Sequence, residues 1–317
     1  MKLNVGVACY WKLEAFNPVS GKTRQLTDWF KNLLLTTGRN NLASQNWFNF
    51  CQVGTSDAVP DAGQAELQGW FAGTSTLFGT ETSGAEAVAP YYGWKRKTFE
   101  FPELAGANQI LKEVGIGWLD GSVPSTPGLT TRGLIVDING NTATPVWKTG
   151  EILRVTAEVR YYPPLDDVTG SVTFNSVAYS YILRAANVTV GAEWGSRIGQ
   201  PMGAVNGESS AWNAYPDNIS ADITGEPTGV AVQCDNTSQY NIAYANGTYQ
   251  IAMGCNCGAA GWNVPGGLRS LRFRTTAGSY QIQFGDGVDA TGNAVPKTTD
   301  FTMFFSPILS WSQGTIA

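Results

Sequence analysis

Ile152-Leu-Arg-Val-Thr-Ala-Glu-Val-Arg-Tyr161 alternates without a break. Leu153, Val155, Ala157, Val159 and Tyr161 fall on one side. Arg154, Thr156, Glu158 and Arg160 fall on the other. A period of two is the signature of a half-buried strand, because successive side chains leave opposite faces. Pro163-Pro164 ends the run, since proline has no N–H to give a ladder. Outward from this stretch the pattern recurs. Leu3, Val5, Val7, Cys9, Trp11 and Leu13 share a face at the N-terminus. Further strands are expected from Trp47 to Val53, Tyr92 to Phe101, Ile110 to Trp118, Leu134 to Ile138, Val172 to Leu183 (one strand or a hairpin), Leu268 to Thr275, Ser279 to Phe284 and Asp300 to Trp311. Asn246-Gly247, between Tyr240–Ala245 and Thr248–Met253, predicts a two-residue type I′ hairpin. The expected fold class is therefore all-β, a β-sandwich or jelly-roll-like architecture, with one or two short helices near the N-terminus.

The best helical pattern runs from Thr27 to Leu35. Phe30, Leu33 and Leu34 form its stripe, Thr27 or Asp28 its N-cap and Gly38 its C-cap glycine. Asp61 to Phe71 reads as a short second helix. Gly73 to Pro90 and Gly191 to Pro227 are small, polar loops, long enough to suggest docking against neighbouring subunits. Pro163-Pro164 followed by Leu165-Asp166-Asp167 marks a domain boundary. Residues 1–165 would be a β scaffold with short helices, and residues 166–317 a second β-rich domain with long loops.

Composition narrows the function. Of 317 residues, 37 are Gly and 11 are Trp, and only 14% are charged. That combination excludes helical bundles and coiled coils, while 43% hydrophobic residues exclude a disordered chain. A net charge of −5 argues against nucleic acid as a partner. The chain has no histidine, which removes Ser-His-Asp and Cys-His catalysis and His-ligated zinc. No enzyme constellation, cofactor motif, secretory segment or membrane-inserting span is expected. The five cysteines, Cys9, Cys51, Cys234, Cys255 and Cys257, are an odd number and read as reduced, apolar side chains.

Few residues offer a site. Asp137-Ile138-Asn139-Gly140-Asn141 opens like a calcium loop, but Thr142 and Lys148 stand where the EF-hand needs Gly and Glu. Asp286 to Asp289 with Gly292-Asn293 has carboxylate and carbonyl oxygens that could hold a cation, but reads as a solvated loop between strands. Adjacent Asp166 and Asp167 point apart in an extended chain. Arg269, Arg272 and Arg274 form a local basic cluster. Trp194, Trp212 and Trp262 lie in expected loops, where an indole could stack on a sugar or enter a subunit contact.

Five segments together resemble a known group. They are Leu26-Thr27-Asp28-Trp29-Phe30, Phe50-Cys51-Gln52-Val53-Gly54-Thr55-Ser56, Glu113-Val114-Gly115-Ile116-Gly117-Trp118, Arg132-Gly133-Leu134-Ile135-Val136-Asp137, and Leu153 to Pro164. Residues 1–165 resemble minor virion structural proteins of tailed bacteriophages, of the tail, fibre and collar group; the rest matches loosely. The resemblance implies a virion protein of the tail region, made in the host bacterial cytoplasm. It would be a homo-oligomer in contact with other virion proteins and copies of itself. It implies no active-site residues. A carbohydrate-binding tail-tip protein that recognises a host-surface glycan is the alternative.

Overall fold

The computed structural model describes residues 1–44, 47–119, 128–137, 139–202, 212–234, 238–241, 243–285 and 294–314. The long alternating strand Ile152–Tyr162 lies in a ten-stranded sheet. Its neighbours are the long N-terminal strand Lys2–Asn17 and strand Gly93–Glu103. The predicted apolar faces are the buried ones: Leu3, Val5, Trp11, Leu13, Leu153, Val155 and Tyr161 are sealed from solvent. In hydrogen-bonded order the main sheet runs Ser238–Asn241, Gln250–Cys257, Ile308–Gln313, Lys2–Asn17, Ile152–Tyr162, Gly93–Glu103, Thr82–Ala85. Lys22–Gln25 and Phe30–Lys31 join it beside the first strand, and Met303–Phe305 beside Gln250–Cys257.

Two further sheets cover the apolar face. A five-stranded sheet (Leu33–Leu34, Gly128–Leu134, Glu113–Trp118, Phe50–Gly54, Trp70–Thr74) packs against one half, with Phe48 edge-on to Phe99 at 6.4 Å. A six-stranded sheet (Val168–Phe174, Val177–Ala186, Gly278–Phe284, Ser270–Thr275, Trp212–Tyr215, Val232–Gln233) covers the other, with Trp212 edge-on to Phe305 at 5.7 Å. The result is an all-β, sandwich-like fold in which most of the buried apolar residues described form one cluster from Leu3 to Trp311, with Leu35, Leu67 and Leu129 in a small second one.

Leu165 marks a passage between sheets rather than the edge of an independent unit. The six-stranded sheet is built wholly from residues after it. However, the last strand, Ile308–Gln313, returns to pair in parallel with Lys2–Asn17, Leu3 opposite Leu309 and Val5 opposite Trp311. Residues from both halves therefore complete one sheet.

The helix expectations are corrected. Thr27 to Leu35 is not a helix. Trp11 pairs with Phe30 on the main sheet and Thr131 with Leu34 on the five-stranded sheet, so the segment crosses between two sheet edges. Asn32 sits buried at the crossing. Its amide nitrogen donates to Cys9 O (3.0 Å), and its oxygen accepts from Trp11 Nε1 and Thr131 Oγ1, both at 2.7 Å. The one-turn helix comes next, at Thr36–Asn41, and Gly38 lies inside it rather than capping it. A Cβ on Gly38 would stand 1.9 Å from Thr130 O, so only glycine permits this approach. Asp61 to Phe71 is also not helical: a turn at Asp61–Gln64 leads to strand Trp70–Thr74. The second short helix, Gly191–Trp194, lies in the C-terminal half. Gly73 to Pro90 is not merely a loop, because Thr82–Ala85 pairs with Gly93–Glu103 as the sheet's edge strand.

Val172 to Leu183 resolves as a hairpin. Val168–Phe174 and Val177–Ala186 are joined by Asn175-Ser176, both with positive φ. Asn246-Gly247 is a turn but not a two-residue hairpin. The ladder between Ser238–Asn241 and Gln250–Cys257 stops at Asn241 opposite Met253. The dipeptide caps the longer connection, closed by Thr248 N–H donating to Ala245 O at 3.2 Å, and only Gly247 has positive φ.

Candidate functional site

The structure places Trp194, Trp212 and Trp262 in the interior, which corrects the expectation of loop indoles presented to solvent. Trp194 donates its ring N–H to Ala186 O (2.9 Å) and stands edge-on to Tyr280. Trp212 stacks on Phe273 with ring centres 4.7 Å apart, and Trp262 packs beside Trp212. None presents a face to a ligand. Trp194 ends a short helix and Trp212 opens a strand, and all three rings fill the interior.

The polar face of the main sheet holds the surface with chemistry to offer. Cross-strand registers put Tyr10 opposite Glu158, and Glu158 opposite Arg96. Arg160 lies one row away, opposite Trp94. The Glu158 carboxylate pairs with Arg96 and Arg160 and is only 1% exposed. The guanidinium of Arg160 lies 4.1 Å from the Tyr10 ring centre and 4.2 Å from that of Tyr92. Arg96 lies 4.4 Å from the Trp94 ring and 5.6 Å from the Trp29 ring. Tyr10 and Tyr162 hydroxyls meet at 3.3 Å. Burial and the Tyr162 hydroxyl raise the Tyr10 phenol, so it stays protonated across the neutral range. The outcome is a deck of rings clamped by arginines over a buried carboxylate. Trp29 and Arg96 are each 43% accessible at its rim. The sequence signal for this deck lay in Arg160-Tyr161-Tyr162 and Tyr91-Tyr92. Only the three-strand register shows that they meet.

A second surface feature is a shallow groove of about 190 Å³ between Phe174, Val177, Tyr179, Phe301 and Met303. Val177 and Phe301 are exposed along it.

Beneath the five-stranded sheet lies a fully buried ion pair that sequence reasoning did not find. Arg132 Nε donates to Glu113 Oε2 at 2.7 Å, with both side chains at 0% exposure. The other guanidinium nitrogens donate to Gln64 Oε1 (2.8 Å) and Ala58 O (2.7 Å). Glu113 accepts the backbone N–H groups of Gln68 (3.2 Å) and Gly69 (2.6 Å). The network ties Ala58, Gln64, Gln68 and Gly69 to the sheet and so holds loop 58–69 in place.

Asp137, Asp167, Arg269, Arg272 and Arg274 have structural partners. Asp137 accepts the N–H groups of Asn139 and Asn141, both at 2.9 Å, which turns the chain and holds its carboxyl below the usual range. Arg272 and Arg274 share Glu193, and Arg272 also reaches Glu226, so the basic cluster is locally neutralised. Arg269 donates to Asn218 Oδ1 at 2.8 Å. Asp167 pairs with Arg184. Asp286, Asp289, Gly292 and Asn293 lie outside the described residues. No group of three or more His, Cys, Asp or Glu that would hold a metal occurs among the described residues. No helix among them is long and apolar enough to cross a membrane. The chain matches no family model, no curated protein and no solved structure.

Proposed function

We propose that this chain is a structural component of a bacteriophage tail, a fibre-associated, collar or baseplate subunit that acts by protein–protein contacts with copies of itself and with other virion proteins. The observation that carries the contact role is the deck on the main sheet. Trp, Tyr and Arg are the residue types enriched where protein interfaces gain most of their energy, and here they are held rigid before any partner arrives. The tail assignment rests on the five-segment resemblance. Three of those segments, Phe50 to Ser56, Glu113 to Trp118 and Arg132 to Asp137, contribute neighbouring strands of one sheet. The motif thus reads as a packing motif, in keeping with a scaffold.

The test is to locate the protein in purified particles by electron microscopy and to compare wild type with Trp29→Ala/Arg96→Gln, which leaves Arg160 to neutralise Glu158. The proposal expects tail-region density and a subunit that folds but is not incorporated once the rim of the deck is altered. Absence from particles would sink the tail reading, and normal incorporation of the double variant would sink the role of the deck. The second reading, a glycan-binding tail-tip protein, is favoured by one observation: Trp29 presents a ring beside a guanidinium, a pairing that also suits a sugar. Saturable binding of host-surface polysaccharide, lost in Trp29→Ala, would select it.

A further inference from the structure

The six-stranded sheet ends at Val232–Gln233, and the next residue, Cys234, turns its side chain towards the main sheet. There Cys255 occupies the middle of strand Gln250–Cys257, flanked by Gln239 and Phe305. The two sulfur atoms stand 3.6 Å apart, with Cys255 Sγ donating to Cys234 Sγ. Both thiols are buried, and Cys257 lies two residues further along the same strand. A disulfide requires an S–S separation near 2.05 Å. The sulfur atoms therefore have about 1.5 Å to close.

We propose that Cys234 and Cys255 are a disulfide-forming pair, oxidised by small-molecule disulfides such as oxidised glutathione, and that the bridge ties the six-stranded sheet to the ten-stranded one. The two cysteine thiols give up two electrons and two protons. One oxidised glutathione takes them up and becomes two glutathione thiols, through a mixed disulfide that the second cysteine resolves. The contact is between elements of different sheets and closes a segment of about 20 residues. The bridge thus restricts the unfolded chain where the two halves of the fold meet. Its chemistry suits a protein made in a reducing compartment and used in an oxidising one.

The hydrogen bond to Cys234 and burial both hold the Cys255 thiol far above its usual value. The attacking thiolate is therefore scarce in the folded protein, and oxidation of the native state is slow at neutral pH. Access is removed as a variable by unfolding the reduced protein and refolding it in a glutathione redox buffer. Alkylation and mass spectrometry then count thiols, and non-reducing peptide mapping identifies the pair. The expected result is loss of two of the five thiols, a single Cys234–Cys255 crosslink and a melting temperature raised by roughly 5 °C. Cys257→Ser keeps the crosslink and the shift. Cys234→Ser and Cys255→Ser each fold with four alkylatable thiols and no shift. Five free thiols after oxidative refolding would overturn the proposal, and so would a crosslink that uses Cys257, Cys9 or Cys51.

Discussion

Arg132–Glu113 in the five-stranded sheet and Arg154–Glu100 in the main sheet are the same chemical pair, joined across adjacent antiparallel strands at 2.7 and 2.8 Å. Their settings differ. The first is sealed, and besides their mutual bond the guanidinium and the carboxylate reach four protein partners between them, the backbone groups of Ala58, Gln68 and Gly69 and the side chain of Gln64. The second lies on the polar face with 14% and 27% of its side chains accessible, and Arg154 rests on the rings of Phe16 and Phe78. In the sealed pair, loss of one partner strands a charge and several hydrogen-bonding groups without water. In the open pair, water replaces whatever is removed. Position in the fold, not the identity of the residues, sets what each pair contributes.

Arg132→Met is expected to be the most damaging substitution at either pair. It leaves Glu113 buried and unpaired and is expected to cost about 3–5 kcal/mol in urea denaturation. Replacing both partners, Arg132→Met with Glu113→Leu, is expected to recover a large part of that loss, because no charge is left behind. A double variant as unstable as the single one would mean that the loop contacts, not the stranded charge, dominate. Glu158→Gln is the intermediate case. The carboxylate is buried, but its arginines reach solvent, so the expected loss is about 2 kcal/mol by the same measurement.

For the open pair, a double-mutant cycle of Arg154→Ala and Glu100→Ala is expected to give a coupling of about 1 kcal/mol or less. It should shrink at 0.5 M salt, while the Arg132–Glu113 coupling holds. Equal salt sensitivity would erase the distinction. The smallest effect concerns Glu81. Burial raises its carboxyl, but Lys95 and Lys97 outweigh this and hold it below its ordinary value. A lowered folded-state value stabilises the protein above the unfolded carboxylate range, and that stability is lost as pH falls through the lower folded value. Glu81→Gln is therefore expected to flatten slightly the acid limb of a stability–pH curve between about pH 5 and 3, with no change at pH 7 beyond loss of an exposed ion pair.

The two turns show how far local reading reached. Asn246-Gly247 carries the preferred hairpin dipeptide, and it does form a turn with Gly247 at positive φ. Yet strand Gln250–Cys257 pairs Gln250, Ile251 and Ala252 with Ile308–Gln313 instead of continuing the ladder towards the turn. Asn40, from the short helix, accepts from Tyr244 Oη and Gly247 N and anchors the loop from outside. Asn175-Ser176, with no glycine, makes the tight hairpin because seven cross-strand pairs lead straight into it. The dipeptide favours the bend. The strands on either side decide how tight it is.

Sequence alone determined the strands that alternate over many residues, Lys2–Asn17 and Ile152–Tyr162, and with them the all-β class. A long period-two pattern buries its apolar face in no other conformation. It also determined which face of those strands would be polar, though not that Arg96, Arg160, Tyr10, Tyr92 and Trp94 would gather there. Tertiary structure decided the rest. The nine residues from Thr27 to Leu35 fit a helix as well as they fit a crossing strand, and the choice went to the edges of two sheets, with Asn32 satisfied only between them. The interior Trp residues, the Arg132–Glu113 pair and the return of Ile308–Gln313 to the first strand all depend on contacts between residues distant along the chain. Such contacts leave no local period in a single sequence, so they become visible only when the sheets are stacked.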